Sequence, residues 1–259
     1  MKNVVIIPAR YDSTRFPGKP LELLRGRDGQ KRPLIEHTWN AARTVRAADA
    51  VYVATDNELI AATVRKFGGQ VLMTSSDCKN GTERCAEALE QLPSSVEIIC
   101  NLQGDAPLTP GYFVDELISS LEKQLDLDAA TPVLLCDAVA KKRLLDDRSN
   151  GRVGGTTAVF DHNNHALYFS KEVTPYGLGD VYHHVGVYAY RPKTLKQYLQ
   201  WEDTNLEKSE GLEQLRFLEN GAKLLCVEVV SKDQEFWEVN NPEDISLVES
   251  LMESKNEHK

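Results

Sequence analysis

The sequence predicts an α/β protein with a mostly parallel, twisted sheet, helices on both faces and a smaller mixed β lobe. Short apolar, β-branched runs alternate with helix-like segments through the first hundred residues. Such alternation is typical of parallel strands joined by right-handed crossovers. Polar segments follow three of the runs, at 8–19, 55–56 and 103–105. The second half instead contains short strand-like runs close to one another.

The first half is predicted as β-α-β-α-β-α-β. Residues 4–7, Val-Val-Ile-Ile, suit a strand that is buried on both faces, and a polar loop follows over 8–33. The later elements are a helix at 34–46, a strand at 50–54, a helix at 58–67, a strand at 70–73, a helix at 81–92 and a strand at 98–102. Ligands of such sheets bind beyond the carboxyl ends of the strands, so the polar segments there are candidate binding residues.

The second half is predicted as short strands and helices. We expect a hairpin of 157–160 and 166–169, strands at 184–190, 224–230 and 236–239, and helices at 195–201, 211–219 and 242–255. The last helix opens with Pro, which is favoured in a first helical turn. The sequence shows no internal repeat, and its 259 residues are predicted to form a single domain.

The composition excludes several classes of protein. Hydrophobic residues make up 41% and charged residues 27%, as in globular proteins. The net charge of −9 disfavours nucleic acid as a partner, because that binding depends on cationic neutralisation of phosphates. Five cysteines without a C-x-x-C pair argue against a disulfide framework or a zinc ribbon. The apolar run at the N-terminus is too short for a signal peptide, and we expect a cytoplasmic protein without membrane insertion.

A cationic turn follows the first predicted strand. Residues 8–21, PARYDSTRFPGKPL, contain Arg10, Arg15 and Lys19 together with a glycine and two hydroxyls. A triphosphate requires such a set, since fixed N–H donors and cationic groups neutralise its charge. The spacing is not that of a Walker loop. A solvated basic loop is the alternative, which the acidic composition of the whole chain disfavours.

Two further segments carry candidate binding residues. At 80–84, NGTER, backbone donors at a helix N-terminus would form an anion site, although an ordinary N-cap explains the motif at least as well. At 102–107, LQGDAP, Asp105 follows a buried strand and suits Mg²⁺, which prefers one or two carboxylates besides phosphate oxygens and waters. An aspartate in a turn is the alternative here.

Residues 7–21, 81–84 and 103–107, in this order and roughly this spacing, resemble the 3-deoxy-manno-octulosonate cytidylyltransferase family, the CMP-Kdo synthetases. The resemblance continues through 166–170, 184–190 and 212–216, closes at 239–244, and so covers almost the whole chain. It implies a Rossmann-like nucleotidyltransferase fold and a homodimer. It also implies transfer of CMP from CTP to the anomeric hydroxyl of a 3-deoxy-ulosonic acid, with release of pyrophosphate, for lipopolysaccharide biosynthesis. Within the single domain, 1–130 would bind CTP, 131–235 would bind the sugar and dimerise, and 236–259 would return to the core.

The resemblance implies roles for individual residues. The nucleotide would be held by Pro8, Ala9, Arg10, Ser13, Arg15, Lys19, Thr82 and Gln103. The sugar acid would be held by Arg84, Gln103, His184, Tyr188, Glu213 and Gln214. Asp105 would bind Mg²⁺, and the position of Asn240 is that of a second metal ligand. Arg15, Lys19 and Asp105 would be the catalytic residues, because phosphoryl-type transfer requires positioning and charge stabilisation more than a protein nucleophile.

The sequence departs from the family pattern at the metal. The closing motif usually reads V-D-T-P-E-D, and its first Asp, a metal ligand, is replaced by Asn240. A neutral amide oxygen ligates Mg²⁺ more weakly than a carboxylate. Glu238, Glu243 and Asp244 are the nearby carboxylates that would substitute, and the number of Mg²⁺ ions stays open.

Other departures lie on the substrate side. Lys171 replaces the usual Arg and cannot form a bidentate fork, the stretch 154–158 lacks the usual lysine, and the loop 25–32 is longer. These changes predict the same reaction on a related sugar acid, such as 8-amino-Kdo. Two alternatives remain open: a cytidylyltransferase for another sugar acid, and a nucleotide-binding subunit that has lost catalysis.

Overall fold

The computed structural model describes residues 1–12, 16–151, 155–177, 179–232 and 237–254, and the chain divides into two compact units. One unit comprises Met1–Asp115 and Ser231–Lys259, and the other comprises Glu116–Val230. None of the helices in these described ranges is both long and apolar enough to cross a membrane.

The described strands and helices alternate along most of the chain. In chain order the strands are β1 (Asn3–Ala9), β2 (Leu23–Arg25), β3 (Lys31–Pro33), β4 (Ala50–Thr55), β5 (Gln70–Met73), β6 (Ile98–Leu102), β7 (Ala129–Leu135), β8 (Thr156–Phe160), β9 (Ala166–Ser170), β10 (Tyr182–His184), β11 (Val187–Tyr190) and β12 (Leu224–Glu228). The helices are α1 (Leu34–Ala42), α2 (Glu58–Lys66), α3 (Gly81–Ala88), α4 (Gly111–Lys123), α5 (Ala138–Ser149), α6 (Pro192–Tyr198), α7 (Asn205–Glu210), α8 (Leu215–Glu219) and α9 (Asp244–Ser254).

The first unit is built on a parallel sheet with the order β5-β4-β1-β6. All seven residues of β1 are buried, as its β-branched run predicts. The predicted α/β class with a mostly parallel sheet is thus confirmed. The carboxyl ends of β1 and β6 are neighbours, and the polar segments that follow them lie at one edge of the sheet.

Several predicted boundaries in the first unit are wrong. The polar loop at 8–33 contains a 3₁₀ turn at Lys19–Leu21 and the antiparallel hairpin of β2 and β3. Helix α1 ends at Ala42 rather than at residue 46, because Asp115 accepts the backbone N–H groups of Arg46 and Ala47 at 2.8 and 2.9 Å. Helix α3 ends at Ala88, and a 3₁₀ turn at Leu89–Gln91 follows it.

Within the first unit, the C-terminal segment packs on the N-terminal half through an apolar cluster. Val239 and two residues of α9 join residues of the N-terminal half in this cluster, whose buried members are Leu24, Leu34, Leu108, Val239, Val248 and Met252. The strand predicted at 236–239 is absent from the part that is described, 237–239. The backbone of Val239 instead bonds to two separate groups, the carbonyl of Asp105 and the amine of Lys19.

The second unit is a mixed sheet around β7. Strand β12 pairs with β7 in parallel, whereas β10 and β11 pair with it antiparallel. Strand β8 joins β10 and forms the predicted hairpin with β9. The single strand predicted at 184–190 is two strands, since the Thr131 hydroxyl bonds to the carbonyls of Val185 and Val187 at the break. Strand β7 and helices α4 and α5 were not predicted.

Candidate active site

Close packing brings the predicted nucleotide-binding segments together in the first unit. A Cβ on Gly104 would lie 2.7 Å from the carbonyl oxygen of Pro8. A Cβ on Gly81 would lie 3.2 Å from the Pro8 ring and 3.3 Å from the Gln103 amide. The ends of β1 and β6 and the start of α3 therefore meet at one place, and the two glycines make this approach possible.

Lys19 and Asp105 form an ion pair at this place. The Lys19 amine lies 2.5 Å from Asp105 Oδ2 and donates to the carbonyl of Val239 at 2.9 Å. The side chains are only 16% and 23% exposed. A cation that is 86 residues away from its carboxylate in the sequence is thus held beside it, at the carboxyl edge of the sheet. Such a pair offers one group for phosphate oxygens and one for a metal ion.

The segment 237–244 lies beside the Lys19–Asp105 pair. The Val239 N–H donates to the Asp105 carbonyl at 2.9 Å. The Asp244 carboxylate accepts from the backbone N–H groups of Asn240 at 2.9 Å and Asn241 at 2.7 Å, and from the Trp237 indole at 3.1 Å. These three donors fix Asp244, which therefore holds the segment in place.

Glu238 lies within reach of the charges of Lys19 and Asp105. Burial and the negative charge of Asp105 raise the pKa of Glu238 to about 7, although the charge of Lys19 and a hydrogen bond from the Asn240 side chain act against this shift. The charges of both members of the Lys19–Asp105 pair thus act on the half-buried Glu238. Glu243, another carboxylate near Asn240, is exposed.

The residues of this group fit a divalent cation of the Mg²⁺ type. They offer oxygen donors only, namely the Asp105 carboxylate, the Asn240 amide and the Glu238 carboxylate, and Mg²⁺ takes few protein ligands besides phosphate oxygens and waters. Among the described residues, no three or more histidine, cysteine, aspartate or glutamate side chains gather as a metal site. The nucleotide phosphates would therefore have to complete the coordination.

Two side-chain hydrogen bonds cap the start of α3. The Asn80 side chain accepts from the Glu83 N–H at 2.8 Å, and the Glu83 carboxylate accepts from the Lys79 N–H at 2.8 Å. Thr82 is fully buried within this turn. The cap orders the N-terminus of α3 next to Gln103.

Arg84 is held inside the first unit. Its side chain is 3% exposed, and Nη1 donates to the Thr74 hydroxyl at 2.6 Å and pairs with Asp56 at 3.2 Å. The role of Arg84 toward a sugar carboxylate stays a prediction. A sugar carboxylate would compete with Asp56 for the Arg84 guanidinium. This ion pair is a site feature that sequence reasoning missed, although Asp56 follows β4 at the same edge of the sheet.

Two predicted sugar-binding residues of the second unit lie in an aromatic row. His184 is 6% exposed, and its ring contacts Phe169 and Tyr188 at centroid distances of 4.9 and 5.5 Å. Burial, with a smaller effect of His183, lowers the pKa of His184 to about 3, so the ring is neutral. Its Nε2 is 3.0 Å from the Thr131 hydroxyl, which donates to the carbonyl of Val187 at 2.8 Å. His184 therefore donates from Nε2, and Nδ1 is left as an acceptor.

Gln214 and Glu213 precede α8 in the same unit. Gln214 is 2% exposed, and its Nε2 has no hydrogen-bond partner among the described residues. A buried donor without an acceptor costs about 1–3 kcal/mol, and this indicates a site for an acceptor on a ligand. Glu213 is half-buried and accepts through its backbone carbonyl from Tyr198 at 3.4 Å.

Glu210, which was not predicted from the sequence, fixes the end of β9. Its carboxylate accepts from the Ser170 hydroxyl at 2.7 Å, the Lys171 N–H at 2.9 Å and the Tyr168 hydroxyl at 3.2 Å. Burial raises the pKa of Glu210, but these hydrogen bonds outweigh it and hold the pKa below its ordinary value. Glu210 thus anchors the backbone of Lys171, the residue that departs from the family pattern.

Some predicted site residues have no described structure. Ser13 and Arg15 lie outside the described residues, as does the stretch 152–154. Of the remaining nucleotide-binding residues, Pro8 and Ala9 are buried and Arg10 is exposed.

The chain is similar to known cytidylyltransferases over its whole length. A family model described as "Cytidylyltransferase" matches residues 4–225. The 3-deoxy-manno-octulosonate cytidylyltransferase of Maricaulis maris is 39% identical over 99% of both chains. The 8-amino-3,8-dideoxy-manno-octulosonate cytidylyltransferase of Shewanella baltica is 38% identical over 97% of this chain and 99% of its own. A solved structure of a CMP:2-keto-3-deoxy-manno-octonic acid synthetase complexed with CTP matches with a TM-score of 0.86 and 32% identity, covering 98% of this chain and 100% of that one.

Proposed function

Because this chain belongs to the cytidylyltransferase family and is thus a nucleotidyltransferase, we propose that it transfers CMP from CTP to the anomeric hydroxyl of an eight-carbon 3-deoxy-ulosonic acid, releasing pyrophosphate. The acceptor is 3-deoxy-manno-octulosonate or its 8-amino form, which are the sugars named in the two relatives. The observation that carries the proposal is the Lys19–Asp105 pair at the carboxyl edge of the sheet. It provides a phosphate-binding cation and a metal-binding carboxylate in one place.

The first unit supplies the groups for the nucleotide. Lys19, with Arg15 and Arg10, neutralises the phosphates and stabilises the pyrophosphate as it leaves. Gln103 and Thr82 contact the nucleotide from the end of β6 and the start of α3. Asp105 and Asn240 would hold Mg²⁺, which when bound would offset charge on the α-phosphate. No side chain is required as a nucleophile, since the sugar hydroxyl attacks.

The second unit supplies groups for the sugar acid. Gln214 has a buried amide N–H for a sugar oxygen, and neutral His184 offers Nδ1 to a sugar hydroxyl. Tyr188 and Glu213 complete this set.

A homodimer is part of the proposal. Most of the exposed large apolar side chains of the described residues lie in the second unit, among them Val139, Tyr176 and Val230. We expect the dimer contact to lie in this unit. The expected oligomer is measured by light scattering of the purified protein.

The reaction is tested by pyrophosphate release from CTP and Mg²⁺ with three acceptors: 3-deoxy-manno-octulosonate, its 8-amino form and a sialic acid. We expect turnover of at least one eight-carbon acid and little with sialic acid. Lys19→Met is the matched inactive control. Tight CTP binding without turnover of any acceptor would contradict the proposal and favour a nucleotide-binding subunit.

A further inference from the structure

A second ion pair lies at the carboxyl edge of the sheet of the first unit, beside the segments that were predicted to bind the nucleotide. Asp56 follows β4 directly beyond its last register pair with β1, which joins Thr55 and Ala9. Arg84 belongs to the first turn of α3 and reaches Asp56 at 3.2 Å. Asp56 therefore lies beside the start of the cationic turn that follows β1.

Helix α3 links this pair to the nucleotide segments. A Cβ on Gly81 would lie 3.2 Å from the Pro8 ring and 3.3 Å from the Gln103 amide, and Arg84 of the same turn pairs with Asp56. Strands β4 and β6 flank β1, and because adjacent strands lie about 4.8 Å apart, the ends of β4 and β6 are about 10 Å apart. A ribose bridges a distance of this order between the phosphates of a nucleotide and the polar edge of its base.

Asp56 is fixed by the protein but keeps capacity for a hydrogen bond. Its side chain is 17% exposed, whereas that of Arg84 is 3% exposed. Nη1 of Arg84 donates to the Thr74 hydroxyl at 2.6 Å and to the Ser75 carbonyl at 3.3 Å. No described residue donates a hydrogen bond to the buried Asp56 Oδ1. Because a carboxylate only accepts and a buried acceptor without a donor is unfavourable, the pair suits a ligand that brings an N–H group.

We infer that Asp56 selects cytosine by accepting a hydrogen bond from the exocyclic amino group of the CTP base. The inference rests on the proposed function, because the base belongs to the nucleotide that this function requires. Uracil carries a carbonyl oxygen where cytosine carries the amino group, so UTP would place an acceptor against the Asp56 carboxylate. In this assignment Arg84 stays paired with Asp56, fixes its carboxylate and offsets its charge in the interior.

The test is calorimetric titration of the full chain with three nucleotides and Mg²⁺: CTP, UTP and a CTP analogue whose base, pyrimidin-2-one, lacks the amino group. The proteins are the wild type and Asp56→Asn. Asp77→Asn is the matched control, because Asp77 is exposed between β5 and α3. Thermal unfolding without nucleotide checks that each variant folds, and if Asp56→Asn does not fold, the comparison of CTP with the analogue on the wild type decides.

A hydrogen bond to a charged group changes affinity by a factor of about 10–100. The wild type is therefore expected to bind CTP at least about tenfold more tightly than UTP or the analogue. Asp56→Asn is expected to weaken CTP binding about tenfold and to remove most of the difference between the three nucleotides, since an amide also offers an NH₂ donor to the uracil oxygen. Asp77→Asn should bind each nucleotide as the wild type does.

Two results would overturn the inference. One is a wild type that binds CTP and the analogue equally, and the other is weakening of all three nucleotides by the same factor in Asp56→Asn, as a merely structural role would give. Turnover of the sugar acids is measured separately. If no acid is turned over while the base preference depends on Asp56, the proposed function fails and the role of Asp56 stands; if an acid is turned over without that dependence, only the inference fails.

Discussion

Glu238→Gln is expected to stabilise the metal-free protein at pH 8 and to change its stability little at pH 5. Burial and the charge of Asp105 raise the pKa of Glu238 from its ordinary 4.5 to about 7. A carboxyl whose pKa is raised on folding contributes stability that is present below its unfolded pKa and is lost as the pH rises through its folded pKa. The wild type therefore loses stability between about pH 4.5 and pH 7 at this residue, and a glutamine does not.

The magnitude follows from the shift. Each pKa unit corresponds to about 1.4 kcal/mol, so the ionised Glu238 costs on the order of 3 kcal/mol at pH 8. At pH 5 the carboxyl is mostly protonated in the folded state, and the expected difference falls below about 1 kcal/mol. The assay is urea unfolding with a chelator at pH 5, 6, 7 and 8, with Glu243→Gln as the exposed control. A Glu238→Gln variant that is no more stable than wild type at pH 8, or whose gain does not change with pH, would refute the reasoning.

Two further predictions concern packing and a second titration. Gly104→Ala is expected to destabilise the protein by about 1–3 kcal/mol and to weaken CTP binding, because the new Cβ would lie 2.7 Å from the Pro8 carbonyl oxygen. The control in thermal unfolding is Gly179→Ala, whose Cβ would meet, among the described residues, the Pro175 ring at 3.7 Å. Equal effects of the two substitutions would count against this prediction. Burial lowers the pKa of His184 from 6.5 to about 3. The stability that the neutral ring contributes is therefore present above pH 6.5 and falls by about 2–3 kcal/mol between pH 6.5 and 4.5. His184→Gln should make the urea midpoint depend less on pH over this range, and an unchanged pH dependence would contradict the shift.

The parallel sheet of the first unit was predictable because each strand is a short buried run. Strands β5 and β6 have the bounds that the sequence predicts, since local apolar patterning alone defines them. The end of α1 was not predictable, because it depends on Asp115, 69 residues after Arg46. The break between β10 and β11 depends likewise on Thr131 of another strand.

In the candidate site, too, some features were predictable from the sequence and others were not. The cationic turn with Lys19 and the carboxylate Asp105 are visible in the sequence as polar residues after buried strands, and the structure brings them within 2.5 Å. The Arg84–Asp56 pair and the position of Glu238 were not predictable, since each depends on which side chains meet after folding. A sequence pattern gives the residue types at the edge of a sheet but not their partners.

The proposed reaction requires that Lys19 and Asp105 serve one nucleotide–metal site. Calorimetric titration with CTP, with and without Mg²⁺, tests it on the wild type, Asp105→Asn and Lys19→Met. We predict that Mg²⁺ tightens CTP binding to the wild type at least about tenfold, a difference of about 1.4 kcal/mol, that Asp105→Asn abolishes this enhancement, and that Lys19→Met weakens binding in both conditions. Full Mg²⁺ enhancement in Asp105→Asn, or unchanged CTP affinity in Lys19→Met, would contradict the shared site.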